Sequence, residues 1–189
     1  MKTLEDRILS DGQILPGGVL KVDNFLNHQI DPYLLCDMAH EFHNAFGDRG
    51  VTKILTIASS GIAMATMTGY VFGCPLLFAK KSGASNISDS VYSTSVASFT
   101  HGTVNTVVVS KEYLTAEDKV LIVDDFLATG AALKGLIDLC NQAGAEVAGI
   151  GIAIEKAFQC GGDELRSQGY DIESLARIKS MTDDSIEFC

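Results

Sequence analysis

Val120-Leu121-Ile122-Val123-Asp124-Asp125-Phe126-Leu127-Ala128-Thr129-Gly130-Ala131-Ala132 is the stretch on which the fold turns. Its four leading apolar residues predict a buried strand. Two adjacent carboxylates stand where that strand is expected to leave the sheet. A turn of small residues follows. The spacing then predicts a helix over Gly130–Ala143, stopped by Gly144. In open parallel sheets, ligands bind in the crevice outside the carboxyl ends of the strands. This segment is therefore where chemistry is expected.

Working outward, Ile54–Ala58, Leu76–Ala79, Val104–Val109 and Val147–Ile154 read as further strands. Ile62–Phe72 reads as a helix. Asp31-Pro32 places an N-cap before a proline at the first helical position, which predicts a helix to about Phe46, ended by Gly47. Near the N-terminus, Thr3 precedes Leu4, Glu5, Ile8 and Leu9 and predicts a capped helix, broken by Pro16-Gly17-Gly18 before a short strand at Val19–Val22. Asp163–Gln168 and Ile172–Ile178 continue the alternation, and Val91–Phe99 alternates weakly enough to be partly extended. Apolar strands separated by helices mean an α/β class with a largely parallel sheet flanked by helices. No repeat and no linker interrupts residues 1–189, so one domain is expected.

Composition excludes several classes. The chain has 189 residues and a formal net charge of −10, which argues against nucleic-acid partners and against a basic membrane-surface protein. The charge-free run between Lys53 and Lys80 is 26 residues long, but Ser59, Ser60, Gly61, Gly69, Gly73 and Pro75 break it, so no membrane span is expected. Five cysteines with long gaps and no C-x-x-C support neither a disulfide framework nor a zinc knuckle. Met1–Asp11 has no apolar centre of a signal peptide, and free thiols in the cytoplasm are expected. His40-Glu41-Phe42-His43 is one residue short of the H-E-x-x-H zinc spacing and reads as solvated or helix-packing histidines.

The central segment predicts an anion site. A small-residue turn opening into a helix points several backbone N–H groups at one place, and the helix dipole adds to them. The Thr129 hydroxyl supplies a further donor, and small side chains let a phosphate approach Ala128, Thr129, Gly130, Ala131 and Ala132. Asp124 and Asp125 repel a phosphate. They suit hydroxyl groups or a hydrated Mg²⁺. A phosphate and a polyol held one turn apart describe a ribose 5-phosphate.

The thirteen-residue pattern resembles the phosphoribosyl-diphosphate (PRPP) signature of the type I phosphoribosyltransferases. Ile57-Ala58-Ser59-Ser60-Gly61 resembles that family's diphosphate loop, and Lys80 and Lys81 resemble the basic residues that lead into its flexible loop. Three flanking segments, Val19–Pro32, Gly149–Gln159 and Glu173–Ile178, are similar to the bacterial members that act on xanthine. The resemblance implies the type I phosphoribosyltransferase fold with a small hood over the base, built from about residues 1–35 and 155–189. It implies a homodimer, and Mg²⁺ that arrives with PRPP rather than on a set of protein ligands, Asp124 and Asp125 being the acidic groups nearest it. It also implies transfer of phosphoribosyl to N9 of xanthine, giving xanthosine monophosphate (XMP) and diphosphate in purine salvage. Asp124, Asp125, Lys80 and Lys81 are the expected catalytic set. Leu20, Asn27, Lys156 and Phe158 are expected at the base: Lys156 offers only donors and suits an oxo group, Asn27 offers a donor and an acceptor, Phe158 can stack, and Leu20 closes the apolar side. The segment after Lys81 is expected to close over the site and exclude water.

This chain departs from the family in three places. Ala128 replaces the third carboxylate of hypoxanthine-using members, Ala58 stands where Glu is frequent, and Cys160-Gly161-Gly162 replaces a usual Pro-Gly-Arg. Guanine, hypoxanthine or adenine is the alternative base. A PRPP-sensing purine regulator of the same fold is the alternative class. Such regulators carry an additional DNA-binding module and a basic face, and the 119 residues before the signature are needed by the fold itself.

Overall fold

The computed structural model describes residues 1–81, 90–97 and 104–189. The chain begins with α1 (Lys2–Asp11), a short hairpin of β1 (Gln13–Leu15) and β2 (Val19–Lys21), and one wide helical turn at Asp23–Asn27. Next come α2 (Pro32–Phe46), β3 (Lys53–Ile57), α3 (Ile62–Phe72), β4 (Leu76–Lys81), β5 (Val91–Ala97) and β6 (Val104–Ser110). The second half holds β7 (Lys119–Leu127), α4 (Ala131–Ala143), β8 (Glu146–Lys156), α5 (Gly161–Ser167), β9 (Ile172–Met181) and β10 (Ile186–Phe188).

Eight strands form the main sheet in the order β10-β9-β8-β7-β3-β4-β6-β5. The five central strands, β9 to β4, are mutually parallel, whereas the outer pairings, β10 with β9, β6 with β4 and β5 with β6, are antiparallel. Parallel neighbours need helical crossovers, so both faces are covered and the inner strands are mostly apolar, Thr56, Asp124, Asp125 and Glu155 being their buried polar exceptions. On one face, α1, α2 and α3 bury Leu4, Ile8, Phe42, Phe46 and Met64 against Ile54, Leu121 and Ile154. On the other, α4 buries Leu133, Leu136, Leu139 and Cys140 against Leu55, Ile122 and Ile150. Each large side chain so buried contributes about 1.5–3 kcal/mol relative to exposure.

Local chemistry sets the boundaries. The Asp31 side chain accepts from the Tyr33 and Leu34 amides at 3.1 and 3.2 Å, with Pro32 at the first helical position, as the sequence predicts. The Thr3 reading fails. α1 starts at Lys2, Thr3 lies inside it, and no side chain caps it. His43 packs edge-on against Phe72, with ring centroids 5.0 Å apart. All five cysteines are free, and burial pushes the Cys140 thiol up to about 12.

The most consequential difference from expectation concerns β7. It pairs with β3 only over Val120–Ile122 but stays paired with β8 through Leu127, opposite Glu155. The strand thus leaves the sheet on one side three residues before Asp125 and on the other side after Leu127. The two carboxylates stand on an extended, half-paired strand end, and the strand runs four residues beyond the expected Val120–Val123.

Candidate functional site

A cavity of about 640 Å³ opens at the carboxyl ends of the parallel strands. Asp124, Asp125, Ala128, Thr129, Gly130, Ala131 and Ala132 line one wall. Ser60 and Lys81 come from the loop after β3 and the end of β4, Gly18, Leu20 and Asn27 come from the N-terminal segment, and Lys156 comes from the end of β8. Residues from all three sequence-predicted groups therefore meet in one place.

The small-residue turn opens directly into α4. Gly130 adopts φ 79° and ψ 7°, a left-handed conformation that favours glycine, and α4 starts at the next residue. The first amides of α4 lack partners within the helix, and Gly130, Ala131 and Ala132 line the cavity. The dipole of this three-and-a-half-turn helix points its positive end there.

The acidic pair is asymmetric. Asp124 is 3% exposed, and its Oδ1 accepts from the Asp125 amide at 3.1 Å. Burial, and after it the charge of Asp125, pushes the Asp124 carboxyl well above the usual carboxylate range. Asp125 is held by two neighbours: Ser60 Oγ donates to Oδ1 at 3.1 Å and Asn27 Nδ2 donates to Oδ2 at 3.0 Å. One aspartate thereby ties β7 to the loop after β3 and to the N-terminal segment.

Lys156 sits at the end of β8. Its Nζ donates to the Gly18 carbonyl at 2.9 Å and lies 5.9 Å from the centroid of the Phe126 ring. Burial lowers its pKa below the usual lysine value. An ammonium has three donors, so two remain for a ligand.

Several expected residues fall elsewhere. Lys80 and Lys81 alternate across β4: Lys81 lines the cavity, while Lys80 turns back over Phe78, its Nζ 5.3 Å from the ring centroid. Of the loop after β3, Ser60 lines the cavity. Ser59 is exposed outside it and accepts the Ile62 amide at 3.2 Å, and Gly61 is buried as the cap of α3. Phe158 is 42% exposed in a helical turn outside the cavity, and the aromatic that does line it is Phe126. The sequence carried a signal for Phe126, because strand alternation puts it two residues beyond Asp124. Asn27 reaches Asp125 rather than standing free. The segment expected to close over the site lies mostly outside the described residues. Among the described residues, no cluster of three or more His, Cys, Asp or Glu is arranged to hold a metal ion, and no helix is long and apolar enough to cross a membrane.

The phosphoribosyl transferase domain model matches residues 22–183. The xanthine phosphoribosyltransferase of Finegoldia magna is 57% identical over 188 residues, covering 100% of this chain and 99% of that protein. The protein of the same name from Pseudomonas aeruginosa is 51% identical, covering 100% and 99%. Among solved structures, APRTase from Giardia lamblia, complexed with 9-deazaadenine, superposes with a TM-score of 0.79 at 21% identity, covering 94% of this chain and 98% of that one. Adenine phosphoribosyltransferase from Rhodothermus marinus gives 0.78 at 21% identity, covering 94% and 100%.

Proposed function

Because the chain belongs to the phosphoribosyl transferase family, we propose that it is a pentosyltransferase acting on xanthine. N9 of the base displaces diphosphate from C1 of PRPP, giving XMP and diphosphate. Relatives named for this activity match the chain along its whole length. The observation that carries the reading is that Lys156, Asp124 and Asp125, and the residues of the helix-opening turn line one cavity. That set suits a base, a diol and a terminal phosphate.

Positive charge develops on the ribose ring as diphosphate departs, so catalysis is positioning plus electrostatic stabilisation. Asp125 accepts the ribose hydroxyls. A carboxylate offers about four acceptor sites, and Ser60 and Asn27 use two, so two stay open without breaking either bond. Asp124, more reluctant to ionise, limits the repulsion the pair presents to the incoming anion. Amides and the hydroxyl at residues 128–132 bind the 5-phosphate. Lys81 and Ser60 face the diphosphate end. Lys80 adjoins Lys81 but turns its side chain over Phe78, away from the cavity. Mg²⁺ comes as part of the PRPP substrate and supplies countercharge to the diphosphate, with Asp124 and Asp125 the acidic groups of the cavity that suit its hydration shell. Lys156 donates to an oxo group of the base and favours a partly deprotonated oxopurine. Leu20 and Phe126 bound the apolar side of the base, and Phe158 is a residue of its rim.

In this reading residues 1–189 act as one domain, with about 1–35 and 155–189 as the hood over the base. The enzyme works in the cytoplasm as a homodimer on two small-molecule substrates, which sedimentation tests for the dimer. The deciding assay is diphosphate release with Mg²⁺ and PRPP, using xanthine, guanine, hypoxanthine and adenine in turn. Xanthine is expected to give the highest kcat/KM. Release with none of the four bases, or a preference for adenine, overturns the proposal.

A further inference from the structure

Glu155 lies on β8, one residue before Lys156 and directly across from Leu127, the last residue of β7 before the phosphate turn. It is 1% exposed. A charge so far from water persists only when its oxygens are paired and hydrogen-bonded. Here they are. Arg166 Nη1 and Nη2 donate to Oε1 and Oε2 at 2.8 and 2.7 Å, a two-pronged pair. Ser174 Oγ adds 2.5 Å, and Arg177 closes from 3.2 and 3.4 Å.

Arg166 belongs to α5, and α5 touches the phosphate turn. The Gly161 amide donates to the Ala128 carbonyl at 3.2 Å. The contact is so close that a Cβ on Gly161 would fall 2.3 Å from Ala128 O and 2.6 Å from Gly130 N. One turn on, the buried Leu165 side chain faces Gly130. The neighbouring Gly162 is equally constrained on its other side: a Cβ there would meet Glu155 Oε1 at 2.3 Å and Arg166 Nη1 at 2.7 Å. Two successive glycines let one short helix lie flat against the turn and against the ion pair at once. Two further ion pairs to α5, Lys134 to Glu164 at 2.8 Å and Arg177 to Asp163 at 3.7 Å, are solvent-exposed and add little.

We propose that Glu155 and Arg166, closed over Gly162, are positioning residues: they clamp α5 behind residues 128–130 and so set the aim of the amides that bind the 5-phosphate. Neither side chain touches substrate, and the inference rests on the phosphate-turn reading above. A misplacement of about 1 Å remote from the reacting atoms can cost up to ~100-fold, which is the leverage available to the clamp.

Three variants test it. Arg166→Met removes the clamp, Arg166→Lys restores the charge with one prong, and Gly162→Ala forces the pair apart with every charge retained. KM for PRPP, KM for xanthine and kcat are measured with PRPP affinity by calorimetry, and thermal melts report folding. Arg166→Met and Gly162→Ala are expected to raise KM and Kd for PRPP by at least about tenfold, with KM for xanthine unmoved and Arg166→Lys recovering part of the loss. If Arg166→Met does not fold, the other two variants carry the same comparison. Folded variants that bind PRPP as tightly as the wild type overturn the clamp alone. So does a loss spread equally over kcat and both KM values. Failure of the wild type to bind PRPP overturns the phosphate-turn reading and the clamp with it.

Discussion

Gly130→Ala separates the strain of the phosphate turn from its function. Gly130 holds φ 79°, where an L-residue costs about 1–2 kcal/mol. Space is not the obstacle, since the added Cβ would lie 3.5 Å from Leu165 Cδ1 and 3.6 Å from Gly161 Cα, ordinary contact distances. Stability should therefore fall by the conformational term alone. For a chain of this length each kcal/mol moves Tm by about 2–4 °C, so a drop of roughly 2–8 °C is expected. The cheapest relief is rotation of the adjoining peptide, which turns one amide away from the anion. One charge-assisted hydrogen bond is worth about 1.5–3 kcal/mol, equivalent to roughly 10- to 150-fold in Kd. Calorimetric titration with PRPP and Mg²⁺, run beside a thermal melt of the same preparation, reads both quantities. A lowered Tm with unaltered PRPP affinity would refute the assignment of phosphate binding to residues 128–132. An unaltered Tm would refute the strain argument itself.

Three further outcomes are expected. Lys156→Ala should cut kcat/KM for xanthine by up to about 10⁴, because a site built to donate to an oxo group discriminates at that level when the donor is lost; unchanged xanthine kinetics removes Lys156 from the base site. Asn27→Leu should leave Asp125 held by Ser60 alone and raise KM for PRPP as well as for xanthine, whereas a residue serving only the base edge would move KM for xanthine alone. Glu155 has its pKa lowered below the usual 4.5 by Arg166, Ser174 and Arg177 against the opposing effect of burial. Its stabilising contribution is thus complete above 4.5 and lost as pH falls through the lower folded value. Denaturant melts between neutral pH and pH of about 3 should show the wild-type advantage over Glu155→Gln shrinking only on the acid side of that range; an advantage that shrinks instead as pH rises contradicts the pairing.

What the sequence made legible was local. Asp31-Pro32 announced α2 because the cap and the proline act within three residues of the helix start. Ile62–Phe72 was delimited on both sides by glycine. The strand, acidic doublet and small-residue turn around Asp124 marked the site because all three lie consecutively along the chain. The illegible features depend on register. That β7 runs on to Leu127 follows from its pairing with β8, a partner some thirty residues away. Three-residue strands such as β1 and β10 carry too few side chains to show a period. Phe158 was expected at the base and lies outside the cavity, because β8 ends at Lys156 and the chain turns away into Ala157–Gln159. Glu155 looked like one polar letter in the apolar run Ile152-Ala153-Ile154, and only the fold shows two arginines and a serine gathered on it.

A net charge of −10 and a polyanionic substrate are compatible because the two act over different distances. Exposed charges are screened within about 8 Å at physiological salt, so the acidic surface governs encounter more than binding. Inside the cavity the field is set by nearer groups. One end presents neutral amide dipoles, which attract phosphate without adding net charge. Lys81 and Lys156 line other parts of the cavity. The acidic doublet between them would be the weak point, yet its two members are not equivalent. Burial holds Asp124 toward its protonated form, and Ser60 and Asn27 donate to Asp125 from either side. In the proposed site the doublet therefore meets the substrate as one buried carboxylate, hydrogen-bonded from either side, and not as two bare charges facing a phosphate. Removing either Asp125 partner would restore the repulsion that the arrangement suppresses, which is why loops so far apart in sequence converge on this one side chain.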